Sequence, residues 1–106
     1  MTSDAPDCSR AGPPPVIAPT GEFDITTLAP LEAEIETAVA CHTIVVLDAN
    51  GITFADSMFL KLILATHHRT DLRIAAPSTA VSRLFSIVGA DTILRIYPTL
   101  QTALAA

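Results

Sequence analysis

Residues 45–69 read VVLDANGITFADSMFLKLILATHHR: an apolar run, a polar turn, then a long apolar pattern at helical spacing. Val45, Val46 and Leu47 form a continuous aliphatic run suited to a strand buried on both faces, and Asp48, Asn50 and Gly51 mark the turn that follows it. The spacing predicts a helix from about Ser57 to Arg69, with Asp56 as its N-cap. The Asp56 carboxylate can accept from the first free backbone N–H groups and sits at the positive end of the helix dipole. Ser57 then falls in the first turn, a place where charge matters. A phosphate on its hydroxyl would meet the favourable field of a helix start and the repulsion of nearby carboxylates.

Outward from this stretch the same alternation continues. Residues 72–76 predict a strand, and Pro77 and Ser78 open a helix with Val81, Leu84, Phe85 and Val88 on one face and Gly89 at its end. Residues 93–97 predict another strand, after which Pro98 and Thr99 open a short helix that turns Leu100, Ala103 and Leu104 inward. Upstream, residues 16–23 form a weak strand in which Pro19 imposes an edge position or a bulge. Thr26 or Thr27 caps a helix that tolerates Pro30 in its first turn and carries Leu28, Leu31, Ile35 and Val39 on one face. Within the central helix, Leu60, Ile63, Leu64 and His67 form one stripe and Phe59 and Leu62 an adjoining one. Strand and helix alternating four times over predict a single α/β domain with a largely parallel sheet and right-handed crossovers over residues 16–106. Residues 1–15, with Pro6, Gly12, Pro13, Pro14 and Pro15 and few apolar groups, read as a flexible Pro-rich tail.

A chain of 106 residues is one domain, and one in which half the residues are hydrophobic and 16% charged builds a true core rather than a disordered chain. A net charge of −5 without a Lys/Arg cluster argues against direct nucleic-acid binding. The N-terminus lacks a basic segment followed by an apolar core, and the apolar stretch at 58–65 is interrupted by Lys61 and too short to span a bilayer, so a cytoplasmic location is expected. Cys8 and Cys41 have no metal-type spacing, and the compartment predicts two free thiols, with a redox link through Cys8 as the alternative.

The residues needed for catalysis do not converge. Ser57 lacks the flanking glycines of a nucleophile elbow, and His67 and His68 lie about a dozen residues along the same helix, roughly 15 Å away at ~1.5 Å rise per residue. Adjacent histidines point to different sides of a helix, and His42 is isolated, so no metal set is expected. His67, His68 and Arg69 read instead as cations complementing a helix C-terminus. Four glycines scattered at 12, 21, 51 and 89 make no phosphate loop, so no cofactor is expected and any nucleotide would come from a partner. The expectation is a binding module and not an enzyme. The acidic residues Glu32, Glu34 and Glu36 read as a solvated helix face.

Three segments in order, Gly21-Glu22-Phe23-Asp24, VVLDANGITFADS and APSTAVSRLFSIVGA, resemble the STAS domain of the anti-sigma-factor antagonist type over about residues 16–105. The resemblance implies a mixed, mostly parallel sheet flanked by helices and a role in partner switching, in which the unphosphorylated antagonist binds an anti-sigma factor that is also a serine kinase and so frees a sigma factor for transcription. It implies that this kinase supplies the ATP, that the serine after the aspartate at the helix start, here Ser57, is phosphorylated, and that a PP2C-type phosphatase reverses the change. Asp56 matches the preceding aspartate, and Asp24 matches the acidic residue closing the first conserved loop on the docking surface.

The chain departs from the family pattern where Met58 and Phe59 replace a second serine and a glycine. Two readings stay open. Both side chains fold inward and enlarge the core, or they form an apolar partner patch beside Ser57. The expected partner surface is therefore Asp24, Asp56, Ser57, Met58, Phe59 and Leu62, with Thr53 as a second phosphoacceptor candidate. The rival reading is a non-phosphorylated STAS scaffold, an accessory subunit of a transporter or signalling complex. The sequence leaves monomer and homodimer both open.

Overall fold

The computed structural model describes residues 13–106. Six strands and four helices follow in the order β1 (Val16–Ile17), β2 (Gly21–Phe23), α1 (Ala29–Cys41), β3 (Ile44–Asp48), β4 (Ile52–Ala55), α2 (Ser57–Arg69), β5 (Asp71–Ala75), α3 (Thr79–Val88), β6 (Arg95–Tyr97) and α4 (Leu100–Ala105). One sheet has the order β1-β3-β5-β6 and a second, smaller one pairs β2 with β4. Every strand pairing among the described residues is parallel. The fold is thus the expected single α/β domain with a mostly parallel sheet and four flanking helices. The expected flexible tail falls largely on residues 1–12, outside the described residues; within it, the Pro15 carbonyl accepts from the Val46 N–H at 3.0 Å.

Alternation along the central strands sorts the core into two layers, as the two-residue period of a strand requires. Val45, Leu47, Leu72 and Ile74 join Ile35, Phe59, Ile63 and Phe85 in the main cluster. Val46 and Ala75 point to the other face, where Ala103 of α4 covers them with Leu100 and Tyr97. Arg73, in register with Val46, also points to this second face, and although it is charged it is buried. Its guanidinium donates to the carbonyls of Ala103 at 2.9 Å and Ala106 at 2.8 Å and to Asp71 Oδ2 at 3.1 Å. A β5 side chain thereby satisfies carbonyls at the end of α4 that no helical N–H reaches.

Several boundaries differ from expectation for identifiable reasons. The strand expected over 16–23 is two short strands that go to different partners, because Pro19 interrupts the ladder. The expected irregularity is present as a register shift between Gly21 and Glu22. β4 lies in what reads as turn, and its four residues show no inside–outside alternation, with Thr53 and Phe54 both exposed, before Asp56 ends the strand. Gly51 precedes it because a Cβ there would come within 2.8 Å of the Thr20 side chain. Neither Thr26 nor Thr27 caps α1; Leu28 occupies that position without a side-chain cap, and Pro30 sits in the first turn as expected. α3 is capped by Ser78 and ended by Gly89 as read, but Val88 is 53% exposed. Leu104 is also exposed, and a 3-10 turn at Ala90–Thr92 delays β6 to Arg95.

Cys41 corrects the expectation of free thiols. It is buried in the last turn of α1 and disulfide-bonded; Cys8, the other cysteine of the sequence, lies outside the described residues. A compartment argument speaks only of the surrounding redox pool and carries no information about which thiols the fold brings together.

Replacing Arg73 with Met keeps an apolar stem and leaves the α4 carbonyls unpaired. The expected loss is about 1.5–3 kcal/mol in the free energy of denaturant unfolding, the range for hydrogen bonds to charged groups. An unchanged midpoint would show that the Arg73 contacts contribute nothing to holding α4.

Candidate functional site

The site is built where β2 and β4 end side by side. Phe23 is in register with Ala55, and the Asp56 N–H donates to the Phe23 carbonyl at 3.3 Å. The residues that follow, Asp24 on one strand and Asp56-Ser57 on the other, therefore leave the small sheet at the same end. Sequence separates them by more than thirty positions, and the parallel pairing removes that separation.

Asp56 caps α2 as expected. Its Oδ1 accepts from the Met58 N–H at 2.9 Å and the Phe59 N–H at 3.3 Å, while its backbone carbonyl accepts from the Leu60 N–H at 3.1 Å. Ser57 is the first residue of α2 and is exposed, and its hydroxyl has no hydrogen-bond partner among the described residues.

Asp24 organises the loop between β2 and α1. Its Oδ1 accepts from the Thr26 N–H at 2.8 Å and the Thr26 hydroxyl at 2.6 Å, and its own N–H donates to the Thr27 hydroxyl at 2.9 Å. The Thr26 hydroxyl and then the Thr26 N–H favour the ionised form and hold the Asp24 carboxyl below the ordinary aspartate range. The two threonines expected to cap α1 instead hold this loop, Thr26 through the Asp24 carboxylate and Thr27 through the Asp24 N–H and the Glu22 carbonyl, to which its hydroxyl donates at 2.9 Å.

Of the remaining expected contacts, the structure separates Met58 and Leu62 from Phe59. Phe59 is 0% exposed and its ring lies 6.3 Å from that of Phe23, so it is a core residue, and its expected role as a partner contact is corrected. The inward reading holds for Phe59 because the space beneath the first turn of α2 is closed by Phe23 of the adjoining strand. Met58 and Leu62 are half-buried and line a cleft of about 410 Å³ between α1 and α2, together with Ile25, Glu32, Lys61 and Arg69. At its far end Arg69 makes a two-point contact with Glu36, 2.5 and 3.1 Å, which joins the helices and holds the Glu36 carboxyl below its usual range. Arg69 is thus an interhelical tie as well as a cation near the end of its helix.

Ile25 and Phe54, 70% and 48% exposed, were not among the expected contacts; Ile25 lines the cleft with Met58 and Phe54 a separate depression. Ile25 lies in the Asp24 loop and Phe54 in the unexpected β4, so neither shows in a periodicity search. Thr53, also on β4, is exposed. Among the described residues no group of three His, Cys, Asp or Glu side chains is placed to hold a metal, and no helix is long and apolar enough to cross a membrane.

Comparison with known proteins gives a consistent picture. A family model described as the STAS domain matches residues 6–103. A protein of Mycobacterium tuberculosis called anti-sigma-F factor antagonist RsfB is 31% identical over 94 residues, which cover 84% of this chain and 77% of that protein. The crystal structure of an anti-sigma factor antagonist from Mycobacterium paratuberculosis superposes with a TM-score of 0.77 at 32% identity, covering 85% of this chain and 81% of that one. The unphosphorylated form of the anti-sigma factor antagonist SpoIIAA superposes with a TM-score of 0.66 at 21% identity over 83% of this chain and 84% of that one, which is a likeness of fold.

Three outcomes check this description. Phe59→Ala is expected to cost about 3–5 kcal/mol in unfolding free energy, the range for truncating a buried aromatic; a cost below ~1 kcal/mol would mean that the ring is not in the core. Asp56→Ala is expected to cost about 1 kcal/mol through the lost cap, read by the same denaturation. Thr26→Val should raise the Asp24 carboxyl toward the ordinary range in a carbon-detected NMR titration. Because the folded value is lowered, the stability linked to Asp24 is present above the unfolded value and fades as pH falls through the folded one.

Proposed function

The chain belongs to the STAS domain family, and on that premise we propose that it is an anti-sigma-factor antagonist whose docking face is switched by phosphorylation of Ser57. The relatives that carry this name match most of both chains. The single observation that carries the switch is the exposed, unpartnered Ser57 hydroxyl at the start of α2, flanked by Asp56 and by Asp24 at the neighbouring strand end.

The partner in this reading is an anti-sigma factor with serine kinase activity, working in the cytoplasm. Its ATP provides the γ-phosphoryl group: the bond from phosphorus to Ser57 Oγ forms, the bond to ADP breaks and the serine proton leaves. A PP2C-type phosphatase transfers the group to water. The unphosphorylated face offers Ile25, Met58 and Leu62 as apolar contacts, with the Asp24 and Asp56 carboxylates beside them. Phosphorylation adds about −1.5 to −2 charges at this place, which repels acidic partner groups and makes the face costly to desolvate. The N–H groups of Met58 and Phe59 already bond Asp56, so the main chain of the first turn has little left to neutralise the added charge. The rival reading, a constitutive scaffold joined through Met58 and Phe59, loses one of its two contacts because Phe59 is buried, and the names of the relatives do not favour it.

A pull-down with wild type, Ser57→Ala and Ser57→Asp tests the proposal when the bound proteins and the state of Ser57 are read by mass spectrometry. Wild type and Ser57→Ala should recover the same anti-sigma factor, Ser57→Asp should bind it at least about tenfold more weakly, a difference of ~1.4 kcal/mol, and phosphate should appear at Ser57 of the wild type after incubation with that partner and ATP. Equal recovery by Ser57→Asp, with no phosphate on Ser57, would overturn it.

A further inference from the structure

Phosphorylated Ser57 would stand next to the Asp56 cap, at the strand end that also leads into Asp24, with the Met58 and Phe59 N–H groups already taken by Asp56, which leaves a nearby cationic side chain as the strongest available counter-charge. Of the described lysines and arginines, Arg69, Arg73 and Arg95 are engaged by carboxylates, and Lys61 and Arg83 are not. Lys61 is exposed and lies four positions after Ser57 on the same helix. Side chains at that spacing share one face with their Cβ atoms about 5–6 Å apart. Helical side chains also tilt toward the N-terminus, so the Lys61 side chain is able to reach back toward Ser57.

We propose that Lys61 is the intramolecular counter-ion of phosphorylated Ser57, holding the phosphate along α2 at the mouth of the α1–α2 cleft. This rests on the reading of Ser57 as the phosphoacceptor. The other charged groups facing this place are Asp56 on α2's own cap, Asp24 from the β2–α1 loop and Glu32, which lines the same cleft from α1 without forming an ion pair with Lys61. Arg83 of α3 is the competing cation; it lines a separate surface depression with Phe54, Ala55 and Ile87 on the β4 side of the serine. In the unphosphorylated protein Lys61 is an unpaired cation beside Met58 and Leu62. After phosphorylation the same spot carries a fixed anionic pair across the apolar contacts, so the lysine both retains the phosphate and sets where its charge falls.

The test uses the full chain with phosphoserine genetically encoded at position 57, so no kinase is needed, and follows the phosphate by 31P NMR as a function of pH. A lysine beside the phosphate favours the dianion, and with Lys61 present the titration midpoint should lie roughly 0.2–0.4 pH unit below that of Lys61→Ala, the shift equivalent to a helical ion pair at this spacing. Lys61→Arg should retain the low midpoint, Arg83→Ala should leave it unchanged, and about 0.5 M salt should remove most of the difference. An identical midpoint in Lys61→Ala, or a shift that follows Arg83 instead, would overturn the assignment. Either result is distinct from failure of the switch itself, which would show as absence of Ser57 phosphate on the wild-type protein after incubation with its partner and ATP.

Discussion

Burial of Phe59 against Phe23 sets the rotation of α2, and the site follows from that rotation. At about 100° per residue, Ser57 lies roughly 200° from Phe59 around the helix, so pinning the ring into the core turns the serine to solvent. Met58, between them in angle, is half-buried, and Lys61, about 40° from Ser57, is exposed on its side. The Phe59 ring therefore does not obstruct the face in front of the serine, because it occupies space behind it. Its bulk goes into the core, and Met58, Leu62 and Ile25 line the cleft next to the start of α2.

The second constraint is the small parallel pair of β2 and β4. Its register sets Asp24 beside Asp56, and the two carboxylates do different work: Asp56 is used up on the N–H groups of α2, whereas Asp24 fixes its own loop through Thr26 and Thr27. The serine hydroxyl at the start of α2 is left unengaged. A phosphate there would add charge next to the Asp56 carboxylate, which already holds the N–H groups of Met58 and Phe59.

Much of this was legible in the sequence, and what was not has physical reasons. The aliphatic run of β3, the Asp56 and Ser78 caps, the Gly89 stop and the Thr99 start are signals contained within a few residues, and the structure places all of them as read. β4 is too short to establish a period, and its pairing with β2 is non-local, so neither the strand nor the exposed Phe54 on it could be read in isolation. Thr26 and Thr27 satisfied the chemistry of a helix cap but bonded Asp24, a competition between two local hydrogen-bonding schemes that only the path of the chain decides. Phe59 had two open readings because its fate depends on Phe23, far away in sequence. The bonded state of Cys41 was invisible for the same reason.

If the partner docks on the face around Ser57, amide hydrogen exchange of the chain, alone and bound to the anti-sigma factor it recovers, should show it. Added protection is expected only in the Asp24–Thr27 loop and the first two turns of α2, and it should be lost when Ser57 is phosphorylated. Protection centred on β1 and the outer face of α1, with the start of α2 unchanged, would contradict it.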